Sequence, residues 1–319
     1  MAKSLRWSLL ALPALILALA GGLWVLPSIA AQGGKADKGP PAISSNKPVE
    51  PVANRPKVPG KLRLHLRQRK EEPSGSGKFK VVESTTDWEA SQTAVIVCDM
   101  WDDHYCKNSA HRVKLMAPRM NEVLTAARDH GVMIIHAPSG TMDLYEGTPH
   151  RQRMKQAIAA KPPVPIPSWC NLDPKREPPM PVETAKCACD DPVVGPMVRR
   201  FSRQHPGLDI INYDGVSDSG TEIFNVFEQE GIKNVVLMGV HTNMCVLGRP
   251  FGIRQMVRQG KNVALCRDLT DSMYDPRQPP YVSHNRGTEL VVEHIEAYWC
   301  PSILGKDLTE VVPGSAGPR

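Results

Sequence analysis

Two side chains in this 319-residue sequence are placed to do chemistry together. Asp99 closes the apolar run Thr93 to Cys98 (TAVIVC) within CDMWDDHYC, and Cys245 follows the run Asn234 to Val240 (NVVLMGV) after four intervening residues. In open parallel sheets, ligands bind beyond the carboxyl ends of the strands, where strand order reverses. If the two runs are neighbouring strands, a carboxylate and a thiol face one crevice, the makings of an activated nucleophile. A free thiol titrates near ~8.5, and a helix N-terminus favours its anion through unpaired amides and the dipole. Cys245 is expected to open such a helix, with Thr242 or Asn243 as its cap. An ionised Asp99 would by itself disfavour the thiolate, so its role is to accept the thiol proton during attack, while turn amides hold the oxyanion. Singly, each residue has a plainer reading: Asp99 as a cap or turn residue, Cys245 as a small core side chain.

The elements that must position this pair are legible as alternating patterns. Leu115 to His130 has helical spacing, Val132 to His136 (VMIIH) is a second apolar run, and Leu208 to Ile211 is a third. A helix opens at Ser219 or Thr221, another runs from the Cys245 turn to about Gln259, and a last one spans about Gly287 to Tyr298. Asn262 to Arg267 (NVALCR) supplies a further strand. Strands that are apolar without alternation, separated by amphipathic helices, mean a parallel sheet covered on both faces. The expectation is a three-layer α/β/α domain over residues 92–305.

Between the second and third strands, residues 138–207 are rich in proline (PPVPIP, REPPMPVE) and far exceed the ~12 to 15 residues of a plain loop, which marks a lid or specificity insertion. Upstream, Leu62 to Leu66 alternates, a Gly/Ser turn follows, and Phe79 to Val82 reads as a second strand, giving a hairpin extension over 61–91. Residues 306–319 are expected to be a flexible C-terminal tail.

The first thirty residues read as an export signal: Lys3 and Arg6, an apolar run from Trp7 to Leu26, then Ser28-Ile29-Ala30 before cleavage. An uncleaved membrane anchor is the alternative, since the run approaches the ~20 residues that span a bilayer. Residues 31–60 lack large apolar side chains and read as a disordered linker. Of the formal net charge of +6, residues 1–30 carry +2 and residues 31–60 carry +3, so the folded part has no basic footprint for nucleic acid. Eight cysteines are too few for a disulfide scaffold. Cys98 and Cys266 fall in core strands. With Cys245 reserved for chemistry, an odd number remains, whose pairing the sequence does not assign.

The segment VIVCDMW around Asp99, GVHTNMCV from 239 to 246 and the strand NVALCRDLTDSM together resemble the isochorismatase-like cysteine hydrolases over residues 92–300. That superfamily includes nicotinamidases and N-carbamoylsarcosine amidases. The resemblance implies a Rossmann-like six-stranded parallel sheet in the order 3-2-1-4-5-6, an Asp-Lys-Cys triad, and a non-proline cis peptide in the nucleophile motif. The acid maps onto Asp99, the nucleophile onto Cys245, and the cis bond, with its oxyanion role, onto Val240-His241. The triad lysine has no counterpart: counting from Thr221 places Asn212 at its position, and no lysine lies between Lys186 and Lys233. Arg199, Arg200 and Arg203 are the nearest basic cluster, able to stabilise a thiolate or a substrate carboxylate but not to shuttle protons. A solvated basic surface explains them equally.

Trp101, His104, Tyr145 and Arg203 are the candidate substrate contacts. No cofactor is expected, with a divalent metal left open: His136, Asp143 and His150 lack tight ligand spacing, and Asp102-x-His104 reads more simply as a loop-orienting pair. Cys170, Cys187 and Cys189 match no standard zinc pattern. The expected activity is hydrolysis of a C–N bond, amide or ureido, in a small molecule through a thioester, by an exported protein for which a homo-oligomer stays open. The competing expectation is a catalytically silent binding protein on the same scaffold.

Overall fold

The computed structural model describes residues 55–184 and 187–316; the expected signal over 1–30 and most of the linker over 31–60 lie outside the described residues. Among the described residues no helix is long and apolar enough to cross a membrane.

The apolar runs form the centre of one sheet. Strands β3 (Thr93–Cys98), β4 (Met133–Ala137), β6 (Asn234–Val240) and β7 (Asn262–Asp271) are joined by short β5 (Gly215–Val216) and β8 (Ser302–Ile303). With the hairpin β1 (Lys61–Glu71) and β2 (Phe79–Glu89), the order is β2-β1-β8-β7-β6-β3-β4-β5. The six strands after the hairpin are parallel throughout and follow the 3-2-1-4-5-6 order. The expectation of a six-stranded all-parallel sheet is nevertheless corrected: β1 adds antiparallel to β8, giving eight strands and a mixed sheet. The hairpin covers the edge that β8 would otherwise present, with its hydrogen-bonding groups unpaired.

Alternation within each central strand sends apolar side chains to both faces, which is why both faces carry helices. Val95, Val97, Ile134, Val236 and Met238 pack against α1 (Lys107–Asp129). Ala94, Ile96, Ile135 and Leu237 pack on the other face with α3 (Gly220–Glu230), α5 (Ile253–Arg258) and α6 (His284–Tyr298). Each wholly buried Val, Ile or Leu contributes about 1.5 to 3 kcal/mol, enough to set the register of the central strands.

Several boundaries differ from the sequence reading. Helix α1 begins at Lys107 rather than near Leu115, because Asp191 accepts the Lys107 and Asn108 amides at 2.8 Å each and caps its first turn. The third strand is Gly215–Val216, not Leu208 to Ile211. The helix expected to reach Gln259 is two short ones, α4 (Cys245–Gly248) and α5, separated by the turn at Pro250.

The ordered chain also starts before residue 60: Arg55 is buried, pairs with Glu230 at 3.6 Å and donates to the Gly131 and Ser91 carbonyls. Nor is the C-terminal stretch from 306 a free tail. Asp307 and Leu308 are buried, Val311 bridges Leu62, and the Val312 amide donates to the Lys61 carbonyl.

The insertion, residues 138–207, carries little regular structure beyond a short helix α2 (Pro149–Lys155), yet it is fastened to the domain. Glu177, wholly enclosed, receives Arg254 Nε at 2.7 Å and Trp299 Nε1 at 2.8 Å and pairs with His294 Nε2 at 2.8 Å. Burial alone would raise its carboxyl, but these partners outweigh it and hold it down at about 2.

Candidate active site

Asp99 is the first residue beyond β3 and takes a left-handed backbone conformation, φ 47°, one that aspartate tolerates better than most residues. The turn keeps the side chain under the strand ends, where it is wholly buried. Its Oδ1 accepts the Ser139 amide at 2.8 Å, and its Oδ2 accepts Arg249 Nε and Nη2, both at 3.0 Å. Desolvation raises the Asp99 carboxyl above its ordinary range despite the pull of Arg249 and the hydrogen bonds it accepts. A raised carboxylate is a better proton acceptor than an ordinary one.

Strand β6 lies beside β3, pairing Cys98 with Gly239. Gly239 has φ +100°, and a Cβ built there would sit 2.1 Å from the Cys98 carbonyl oxygen, so only glycine lets the two strand ends meet this closely. The Val240–His241 peptide that follows is cis. The turn then delivers Cys245 as the first residue of α4.

The expected Thr242 or Asn243 cap is absent: Thr242 Oγ1 is 2.7 Å from Thr270 Oγ1, and Asn243 bonds the Met273 backbone. The Cys245 thiol lies within electrostatic reach of the Asp99 carboxyl, and the His241 amide favours its thiolate. Burial, then the Asp99 charge, pushes the thiol well above its ordinary value, against the opposing pull of Arg249 and of the His241 amide. The resting sulfur is therefore a thiol beside the Asp99 carboxyl.

The cation of this cluster is Arg249, four residues after Cys245, which sequence reasoning missed. Residues at i and i+4 share a helix face, so the spacing was visible. The reading instead sought the cation before the nucleophile strand. The basic cluster proposed there lies elsewhere. Arg199, Arg200 and Arg203 are exposed, and Arg203 meets Asp102 through its backbone. Asn212 occupies an exposed turn with φ 50°.

Aromatic side chains gather on the Cys245 face of the sheet. Trp101 stacks on Phe201 with ring centroids 4.2 Å apart and donates Nε1 to the Ser139 carbonyl at 3.2 Å. Both rings belong with Cys245 to one apolar cluster. Trp169 abuts Gly248 and lies 5.7 Å under the Arg249 guanidinium. A cleft of about 680 Å³ opens at Arg249, Ser139, Phe201 and Asp218, and a second of about 620 Å³ opens at Trp169, Asn243 and Met244.

His104 is half-buried, 6.1 Å from the Trp101 ring and 5.2 Å from His241. Burial lowers His104 to about 4 and His241 to about 3, so both rings are neutral at physiological pH. Tyr145 is buried, and its hydroxyl accepts the Gln204 amide at 2.9 Å, bracing the insertion.

Two of the residues weighed for a metal have partners within the protein. His136 is 3.1 Å from Asp214 and 2.8 Å from Gln204, and Asp102 accepts from Ser202 and Arg203 rather than pairing with His104. All eight cysteines are unpaired. Among the described residues, the one set of three potential ligands with converging atoms is Cys106, Cys189 and Asp191.

The chain is similar to isochorismatase-like cysteine hydrolases. A cysteine hydrolase from Pseudomonas syringae pv. phaseolicola 1448A matches at 18% identity and a TM-score of 0.42, over 70% of this chain and 92% of that one. An isochorismatase-like hydrolase from Alkaliphilus metalliredigens matches at 14% and 0.39, over 68% and 97%. N-carbamoylsarcosine amidase from Thermoplasma acidophilum matches at 11% and 0.37, over 70% and 99%. No family model matches the sequence, and no curated protein matches it. At these values the functional reading rests on the motif and the site geometry rather than on the neighbours.

Proposed function

We propose that the protein is an exported cysteine hydrolase that cleaves an amide or ureido C–N bond of a small molecule. The single observation that carries this reading is the buried Cys245 thiol beside Asp99, whose carboxyl is in turn held by Arg249 and the Ser139 amide. A thiol raised by burial is a poor nucleophile until its proton moves, and Asp99 is the base in contact with it.

In the first half-reaction, Cys245 Sγ bonds to the carbonyl carbon as its proton passes to Asp99. Arg249 keeps the site's charge balanced as negative charge moves from the carboxylate to the carbonyl oxygen. The His241 amide, which already favours the thiolate, is the first donor for that oxyanion. The C–N bond then breaks, and Asp99 returns the proton to the leaving nitrogen. In the second half-reaction Asp99 takes a proton from water as the water oxygen bonds to the acyl carbon. The C–S bond breaks, the acid leaves, and the proton returns to the sulfur. Arg249 holds charge but does not shuttle protons, so the single base Asp99 serves both halves.

A screen of amides and ureido compounds for ammonia release, with and without chelator, tests this reading. Turnover that a Cys245→Ala variant abolishes is the expected result, and a confirmed substrate still turned over by that variant overturns it. The second reading, a silent binding protein, is favoured by one observation: Cys245 is only 9% exposed and its thiol is held protonated. A thiol that no electrophilic amide analogue labels, on a chain that still binds the unreactive amide, would establish it.

A further inference from the structure

Seven residues beyond Asp99, outside the reacting cluster, a second group of thiols and carboxylates meets with no role in the proposed hydrolysis. Cys106, the residue before α1, and Cys189, from the insertion, bring their sulfurs within 4.8 Å of each other, and Cys106 Sγ donates to Asp190 Oδ1 at 3.4 Å. Both are buried, with Asp191 beside them; Cys106 Sγ lies 3.6 Å from Asp191 Oδ1. One ligand atom from each of the three lies within 4.8 Å of the others. A tetrahedral zinc ion with Zn–S near 2.3 Å and Zn–O near 2.0 Å holds its donors roughly 3.5 to 3.8 Å apart, so one ion fits among these atoms after small shifts.

The surroundings are those of a built site. Each Asp191 oxygen accepts one amide, from Lys107 or Asn108, which fixes the carboxylate and leaves each oxygen a lone pair. Arg277 Nη2 donates to the Cys189 and Asp191 carbonyls and clamps the loop that bears both ligands. The neighbouring acid, Asp190, pairs with Arg112, whose guanidinium it shares with Asp271. Cys187 and Tyr105 pack against the same cluster and shield it.

The geometry points to Cys106, Cys189 and Asp191 as a binding site for a thiophilic divalent cation of the zinc class. Cys187 or water fills the fourth position. On binding, each of the two thiols gives its proton to solvent and its sulfur pair to the metal. The ion would bolt the insertion to the start of α1, behind the His104–His241 wall, and this holds whether or not the chain is a hydrolase.

The test uses the full chain, purified reduced and metal-free, and titrated with Co²⁺ and then with Zn²⁺. About one Co²⁺ per chain is expected to bind with a thiolate-to-cobalt band in the near ultraviolet. Zn²⁺ is expected to displace it, in keeping with the relative affinities of the two ions. Cys106→Ser and Cys189→Ser should each weaken binding by more than about tenfold and diminish the band, whereas Cys170→Ser, a buried thiol elsewhere, should leave both unchanged.

A wild-type titration without the band overturns the proposal, as does a band that survives in both serine variants. Recovery of residues 106 and 189 as a cystine from cells supplied with zinc would overturn it too. The wild-type titration decides alone if a serine variant fails to fold.

Discussion

Arg249 directs both Nε and Nη2 at a single oxygen of Asp99, Oδ2, each at 3.0 Å, while the other oxygen takes the Ser139 amide at 2.8 Å. This offsets part of the desolvation of a wholly buried carboxyl and fixes its orientation beside the Cys245 thiol. It also explains how a site without a lysine balances charge: the cation is Arg249, the residue that closes the short helix α4 opened by the nucleophile.

Removing that cation strands a buried anion. Breaking a buried pair in this way costs about 3 to 5 kcal/mol, and the lower end applies because the Arg249 side chain is 27% exposed. Arg249→Gln should therefore lose about 3 kcal/mol in urea unfolding, and it should shift Cys245 alkylation to higher pH because the guanidinium's pull on the thiolate is lost. Arg249→Lys should recover most of the stability and the wild-type pH profile. If glutamine and lysine behave alike, the charge of Arg249 is irrelevant to the site.

The meeting of β3 and β6 makes a separate demand on Gly239. Alanine there combines a positive φ with a Cβ 2.1 Å from the Cys98 carbonyl oxygen, a backbone atom that cannot swing aside. Backbone strain of about 1 to 3 kcal/mol adds to a similar overpacking cost, so Gly239→Ala should lose about 3 kcal/mol or more. Calorimetry together with Cys245 labelling checks it: a variant as stable and as reactive as wild type contradicts the close-approach argument.

What was legible in the sequence was local. Asp99 and Cys245 could be placed because each immediately follows, or nearly follows, an unbroken apolar run, and such runs set the strands of the parallel sheet. Long-range partners were not legible. The first turn of α1 exists because Asp191 caps it from 84 residues away, and no periodicity within 107–114 announces that. The edge hairpin looked like decoration because nothing in its alternation shows that Arg67 faces Ser302. Arg249 was overlooked although the Cys245-to-Arg249 spacing is helical, because the family pattern directed attention upstream to Asn212.

Glu177 shows how the proline-rich insertion keeps its place. Arg254, His294 and Trp299 all converge on this one carboxylate, so Glu177→Ala should cost about 3 to 5 kcal/mol, mainly by leaving Arg254 buried without its partner. The folded carboxyl sits at about 2, below the ~4.3 of an unfolded chain. Its contribution is present above the unfolded value and is lost as pH falls toward 2. Wild type and Glu177→Ala should therefore differ most near neutrality and converge in acid, as read by urea midpoints. Faster Cys245 labelling in the variant would show that the anchored insertion also guards the sulfur, and an unchanged rate would show that it does not.

His241 makes the fold sensitive to mild acid. Its ring is buried with Nε2 2.6 Å from Ser109 Oγ, and desolvation, then His104, hold it at about 3 against an unfolded value of about 6.5. Below pH 6.5 the unfolded chain takes up a proton that the folded chain refuses. Stability is thus greatest above 6.5 and falls as pH drops, by up to about 1.4 kcal/mol per unit for each such ring. His104, lowered to about 4, adds a second increment over nearly the same range. Between pH 6.5 and 5, where few ordinary carboxylates titrate, the unfolding free energy should therefore drop as pH falls, and His241→Asn should reduce that slope by up to about one proton. An unchanged slope in the variant would mean that the His241 ring is not the neutral, buried partner of Ser109 described above.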